Sequence, residues 1–536
     1  MIYNLARFIF LFSLLVITAC QNKTKSSGKS IIYNIGGEPS TLSPLSASDG
    51  YTSTVHGYVF ETLLDKDIES FDWKPALATE WSISQDKKVF EFTLREGVKW
   101  HDGREFTADD VKYSYDVIFT DDFKAVQNRP FYESIKSVEV LSKFKVRFTV
   151  KDDYFQNFDV CAGLSIWPKH FYTNPENKRE FGRKLIGTGP YRLSKYDKGQ
   201  KLIMIHNKEW WGRSVETEKN SYLIPKIILK MVSEENVSLE LLKKGDLDFQ
   251  NLRPEGFVKK TVGEVWDKKI TKVKTENKTP KGYNFIGFNF QHPILRDKEV
   301  RKALSMLFNR TLMKDKFEFN LSEFATGPIY IQSDYASDKV KPIEFDPNLA
   351  LKTLNHAGWK DSDKDGILDK TIDGKLTKLS ITILEPSLDV MKYHTVFKED
   401  ASKVGVEINI KNIEWNSFVK LLDEKNFEAV RLAWAGGGVE WDPKQIWHSS
   451  SIAGAGSNFI SYSNPKVDQL IDQARQLYER EKRIPLLKQV HELISADYPY
   501  IWWFNQKYTL YGHTKRITKP KDTFSYGIGQ QYWIVE

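Results

Sequence analysis

Residues 89–94 set the first period. Phe90, Phe92 and Leu94 alternate with Glu91 and Thr93, the pattern of a half-buried strand. Asp102-Gly103 then marks a turn, because glycine takes positive φ without a steric penalty. Thr107 reads as an N-cap with Asp110 three residues on, and Val111, Tyr115 and Ile118 follow on one helical face. A second strand-and-helix unit starts at Tyr283. Phe285, Gly287 and Asn289 alternate with Ile286, Phe288 and Phe290, and Asp297 caps a helix carrying Val300, Ala303, Leu304, Leu307 and Phe308 on one face. Asn464-Pro465 opens a third helix in the N-cap/N1 arrangement, with Val467, Leu470, Ile471 and Ala474 buried. Residues 51–64 also read as helical, residues 138–150 as a hairpin, and 227–229, 376–384 and 427–434 as strands. Strands and helices interleave along the whole chain, which predicts an α/β protein.

The first 19 residues break this pattern. Arg7 precedes an apolar run from Phe8 to Ile17, shorter than the roughly 20 residues of a membrane span. The run ends in Ile17-Thr18-Ala19-Cys20, similar to a bacterial lipobox, so residues 1–19 read as a lipoprotein signal peptide and Cys20 as the lipidated residue. The polar stretch 20–30 reads as a tether, and Gln21 leaves the inner and the outer membrane of a two-membrane cell both open. With Cys20 carrying lipid, Cys161 is alone and reads as a small buried side chain. At 536 residues the chain exceeds one hydrophobic core, so several lobes are expected. A net charge of +7 with no long Lys/Arg block argues against nucleic acid as a partner. Ten histidines show no His-Glu-x-x-His pairing, and no nucleophile elbow is present, so a hydrolase has no positive feature.

The wording of these elements is more specific than their periods. Ala78-x-x-Trp81, Phe92-x-Leu94-Arg95-x-Gly97-Val98-Lys99-Trp100-His101-Asp102-Gly103 and Thr107-Ala108-x-Asp110-Val111-x-Tyr113-Ser114 resemble the signature of the family 5 extracellular solute-binding proteins. These are the dipeptide-, oligopeptide- and nickel-binding receptors of bacterial ABC importers. Phe288-Asn289, Pro293-Ile294, Asp297 and Val300-Arg301-x-Ala303-Leu304 resemble a second family signature. Glu38-Pro39-Ser40-Thr41-Leu42-Ser43-Pro44 resembles a third, with Ser43 in place of the usual Asp. The resemblance implies a type II periplasmic-binding-protein-like fold with three lobes, two closing around ligand at a hinge, which Gly187-Thr188-Gly189-Pro190-Tyr191 resembles. The implied division is 31–62, 185–275 and 495–536 in lobe I, 63–184 in lobe II and 276–494 in lobe III.

The resemblance also implies a non-enzymatic, monomeric receptor, anchored outside the cytoplasm, that captures peptides and delivers them to an ABC permease. In peptide-binding members an Asp three residues after the Trp matching Trp434 holds the peptide α-ammonium; here that position is Gly437. Glu440 and Asp442 are the carboxylates left to take the ammonium. Arg431 matches an arginine that meets a ligand carboxylate, with a structural ion pair as the alternative, and Trp434, Trp441 and Trp447 offer flat walls of which one belongs to the core. The loss at Gly437 keeps an oligosaccharide, opine or nickel chelate open as cargo, and a surface lipoprotein without a transport role is a further alternative. No cofactor is implied. Asp361, Asp363, Asp365 and Asp369 are spaced like a calcium loop with Gly366 at its sixth position, but Ile372 stands where a bidentate Glu belongs; the stretch reads as a turn or as a structural calcium site.

Overall fold

The structure, a computed structural model, describes residues 29–536 except 48 and 455. The signal peptide, Cys20 and nearly all of the tether lie outside the described residues. Among the described residues no helix is long and apolar enough to cross a membrane.

Three large sheets mark three lobes. The lobe I sheet has seven strands, in the order Ile270–Thr275, Thr509–Thr514, Phe249–Asn251, Ser30–Asn34, Lys226–Lys230, Lys201–His206 and Tyr191–Asp197. It is therefore stitched from segments far apart in sequence. The lobe II sheet is an antiparallel set of four, Ala78–Ile83, Val89–Leu94, Lys145–Val150 and Ile135–Ser142. Alternation at 89–94 has its expected cause: Phe90, Phe92 and Leu94 face the core while Glu91 meets Arg147 on the outer face. The lobe III sheet runs Ser322–Phe324, Tyr500–Gln506, Tyr283–Phe288, Ala429–Trp434, Ser380–Glu385 and Glu407–Asn412. Its Tyr283–Phe288 strand is paired on both edges and covered on both faces, Ile286 and Phe288 in one hydrophobic cluster and Phe285 in another, so all three are buried.

The signature turn is a staple inside the lobe I–II body. The helix Ala108–Asp116 starts with Asp110 accepting from the Thr107 N–H at 3.0 Å. Asp110 also accepts from the Trp100 indole at 3.3 Å. His101 Nδ1 accepts from the Gly187 N–H at 3.2 Å, and its Nε2 lies 3.0 Å from the Gly189 carbonyl oxygen. Burial, the main cause, holds the His101 imidazole down to about 4.

Three expectations change. The helix expected over 51–64 spans only Gly50–Val59, because the Val59 carbonyl turns to accept from the Gly189 N–H at 2.9 Å, and Glu61 beyond it accepts from both Trp210 and Trp211. The segment expected as a hinge, Gly187 to Tyr191, is a packed junction. A Cβ at Gly187 would lie 1.8 Å from the Val59 carbonyl oxygen, and one hydrophobic cluster runs unbroken from Ile31, Tyr33 and Tyr511 of lobe I to Phe90, Phe92 and Phe148 of lobe II. Lobes I and II are thus one body. Lobe III has separate clusters, one around Ile286, Leu304 and Trp503 and one around Phe285, Val430 and Trp447. Finally, Tyr500–Gln506 belongs to the lobe III sheet, not to lobe I, so the chain crosses between the two bodies at 276–282 and 507–508.

Candidate functional site

Lobe III meets the lobe I–II body at two places. Toward lobe I, the Tyr51 and Trp415 rings lie 5.4 Å apart edge to face. There Asp389 accepts from the Glu235 N–H at 3.3 Å and from Arg253 at 3.1 Å, and Lys392 pairs with Glu255. Asp389 is a cap supplied from the other body, since Glu234, the residue before the helix Glu235–Lys244, makes no side-chain cap of its own. Toward lobe II, the Tyr154 hydroxyl donates to Asp442 at 2.8 Å, Lys444 pairs with Glu133 at 2.6 Å, and the Arg483 guanidinium lies 4.0 Å above the Phe155 ring.

The wall between these contacts is the strand Ala429–Trp434 and the loop that follows it. The loop begins against the crossing segment: a Cβ at Gly436 would lie 1.7 Å from the Pro280 carbonyl oxygen, so only glycine fits. It ends at lobe II through Asp442. Ala433 and residues 435–438 are exposed, and nothing lies within 4 Å of a Cβ placed at Gly437. Trp434 stacks at 5.9 Å on Phe459 with its indole donating to Tyr500 at 3.4 Å, leaving one edge open. Trp441 is half-buried against the same hydrophobic cluster, and Trp447, with no exposed surface, is the core member of the three.

Glu440 and Asp442 are not free to take an ammonium in this arrangement. Glu440 accepts from Arg480 at 2.9 Å, from Arg483 and from the Tyr335 hydroxyl. Asp442, whose side chain is 2% exposed, accepts from Arg475, from Tyr154 and from the Lys444 N–H at 3.1 Å. Arg475, Arg480 and Arg483 sit on and beside the helices Pro465–Arg475 and Arg480–Ala496. Thirty or more residues separate each pair in sequence, so no local signal announced them.

Arg431 projects from the same strand. Its Nη2 donates to Asn284 at 2.7 Å and its guanidinium lies 5.3 Å above the Trp503 ring. Nε is 4.0 Å from Glu385, too far for a hydrogen bond, and has no other acceptor. Glu385 is fully buried and lies 2.7 Å from His394. Desolvation lowers the Arg431 pKa, with Glu385 opposing the shift and Arg253 of the other body adding to it. The two arginines also both act on the Tyr51 hydroxyl, so Tyr51, Arg253 and Arg431 share one corner between the bodies. Sequence reasoning had named only Arg431 of these.

In the aspartate loop, one oxygen each from Asp361, Asp363 and Asp369 fall within 4.8 Å of one another. Asp365 is drawn aside to Lys378, whose ammonium is also 3.4 Å from Asp363. Asp361 and Asp369 spend their oxygens on the Asp365, Gly366 and Ser362 N–H groups at 2.9–3.1 Å. The loop closes as a turn through its own backbone donors and one lysine. Cys161 is fully buried, and burial pushes its thiol up.

Comparison with known proteins places this architecture. The profile described as "Bacterial extracellular solute-binding proteins, family 5 Middle" matches residues 72–457. The oligopeptide-binding protein AppA of Bacillus subtilis is 28% identical over 495 residues, covering 90% of this chain and 87% of its own. The solved structure of AppA with a nonapeptide superposes with a TM-score of 0.84 at 25% identity, covering 95% of this chain and 99% of that one. DppA of Helicobacter pylori with the peptide STSA gives 0.82 at 21% identity over 95% and 98%. NikZ of Campylobacter jejuni with Ni(L-His) gives 0.78 at 24% over 95% and 99%, and these last two bear on the fold alone. With the profile matching well over half of its length, the chain belongs to the family 5 bacterial extracellular solute-binding proteins.

Proposed function

We propose that this protein captures peptides in the cleft between lobe III and the lobe I–II body and delivers them to an ABC permease. The observation that carries the reading is the open wall at 433–438, set between two bodies that the described chain links at 276–282 and 507–508. AppA, similar over nearly the whole chain, was solved with a nonapeptide. Ligand in the cleft touches both bodies, so it stabilises the closed arrangement over any open one, and the permease reads that difference. We assign Arg431, whose buried Nε has no acceptor of its own, to a ligand carboxylate, Trp434 and Trp441 to the ligand side chains, and the open space at Gly437 to the ligand backbone. No bond is broken, and the protein acts as a monomer held to a bacterial membrane through lipid on Cys20.

A second reading keeps the architecture and changes the cargo. Gly437 offers no charge, and Glu440 and Asp442 are spent on arginines, which suits an oligosaccharide, opine or metal chelate as well as a peptide. Native mass spectrometry of residues 21–536, followed by denaturing release, decides between them. Peptides of a narrow length range support the first reading; a sugar, opine or chelate mass replaces it.

A further inference from the structure

We infer that this receptor holds its peptide without a carboxylate on the N-terminal ammonium, so that N-acylated peptides are ligands as good as free ones. The inference rests on the peptide reading above and concerns the chemistry of one ligand end.

The open wall has no acid. Residues 433–438 are Ala-Trp-Ala-Gly-Gly-Gly, and the next two carboxylates along the loop are Glu440 and Asp442. Glu440 is engaged by two guanidiniums and a phenol, and Asp442 by a guanidinium, a phenol and a backbone N–H. Recruiting Asp442 to an ammonium would strand Arg475, whose side chain is 8% exposed. The carboxylates contributed by the facing lobe are also committed. Asp49 accepts from the Ser40 and Thr52 hydroxyls and both their N–H groups. Glu38 accepts from the Tyr196 hydroxyl at 2.7 Å and the Gly199 N–H at 3.1 Å. Glu255 pairs with Lys392 and Lys260. On the lobe III side, Asp389 is taken by Arg253 and the Glu235 N–H, Glu385 is closed off beside His394, and Glu318 accepts from Tyr393 and Ser322.

A free ammonium enclosed among these groups would lose its water and gain no counter-charge, which costs free energy unless it stays solvated. An amide at the same place has no charge to desolvate. The charged groups of this corner, the exposed Arg253 and the largely buried Arg431, are cations and do not compensate an ammonium either.

The test uses the purified chain without its signal peptide and lipidated cysteine, residues 21–536, and two isotope-coded copies of one synthetic peptide library spanning three to nine residues, one with free N-termini and one N-acetylated. Both are offered together in equal amounts, and the captured fraction is separated by gel filtration and read by mass spectrometry. Capture of the acetylated copy within about threefold of the free copy, or above it, is expected; about 1.4 kcal/mol would be needed for a tenfold bias. A larger preference for free N-termini overturns the inference and leaves the peptide reading standing. Capture of neither copy overturns both. The variant Gly437→Asp adds a carboxylate where a side chain meets nothing, so it should fold, and it is expected to raise the free-amine share about tenfold. An unchanged ratio in that variant would mean the ligand N-terminus lies away from this wall and would overturn the placement argued here.

Discussion

Replacing Asp442 by Asn separates a structural carboxylate from a ligand-holding one. The side chain is 2% exposed and its partner Arg475 is 8% exposed, so this is a buried ion pair at the lobe II–III contact. Removing one partner of such a pair costs about 3–5 kcal/mol, chiefly because the other charge is left unpaired. Asn has one oxygen where Asp442 uses two, so it loses the acceptor for Tyr154 and Arg475 but keeps the bond from the Lys444 N–H to Oδ1, which returns about 1 kcal/mol. Arg475 also retains its bond to the Pro130 carbonyl at 2.8 Å. The expected loss is therefore about 3 kcal/mol. In a unit the size of lobe III this lowers the melting transition by roughly 6–12 °C. Scanning calorimetry of wild type, Asp442→Asn, Arg475→Met and the double variant measures it, and the double variant should be less damaged than the two single losses summed. The reasoning is refuted if Asp442→Asn melts with wild type while peptide capture disappears, because the carboxylate would then serve the ligand and not the fold.

Three further outcomes are expected. His491 is fully buried, accepts from the Ser337 N–H at 2.8 Å, and is held down to about 4, chiefly by desolvation. Between the ordinary histidine value and that figure the unfolded chain binds the extra proton, so its contribution of roughly 3 kcal/mol is whole above about pH 6.5 and is lost as pH falls toward 4; urea midpoints across that range, with the imidazole followed by NMR, check it. Gly187→Ala drives a Cβ into the Val59 carbonyl and is expected to cost at least about 3 kcal/mol, read as lost soluble yield or a collapsed melting temperature; a near-neutral result would restore this segment as a pliable hinge. Calcium and EDTA are expected to give the same melting temperature, since the Lys378 ammonium already occupies the space between Asp363 and Asp365; a rise in calcium would assign the loop as a metal site.

Local elements were legible in the sequence wherever one face was buried and one was wet. Phe90, Phe92 and Leu94 needed only their spacing, and the Thr107, Asp297 and Asn464 caps fell at the helix starts where the pattern put them. Pairings between distant segments were not legible, because period-two alternation says which face is buried and not which strand lies beside it. The 500–504 stretch, Tyr-Ile-Trp-Trp-Phe, is an unbroken aromatic and apolar run and carried no mark of the sheet it joins. The site failed for a related reason. Glu440 and Asp442 looked like free carboxylates because their partners lie 33 to 43 residues away on helices whose arginines resemble any exposed basic face.

The cap that Asp389 places on the helix Glu235–Lys244 links that helix to the position of lobe III. A helix N-terminus without its own cap leaves backbone donors to water, and closing lobe III onto it exchanges water for the Asp389 carboxylate, which meets Arg253 of the lobe I–II body in the same step. The exchange involves the same corner as Tyr51, which packs on Trp415 of lobe III and feels the Arg431 charge. On the proposed reading, ligand at Arg431 and the lobe III approach to lobe I draw on one set of groups. Asp389→Ala should therefore weaken peptide capture without touching the peptide, through the closed arrangement alone. Capture affinity and the solution radius of gyration, measured together, test this: a weaker affinity with a more expanded ligand-bound form is expected. Unchanged affinity would show that the cap contributes nothing to closure.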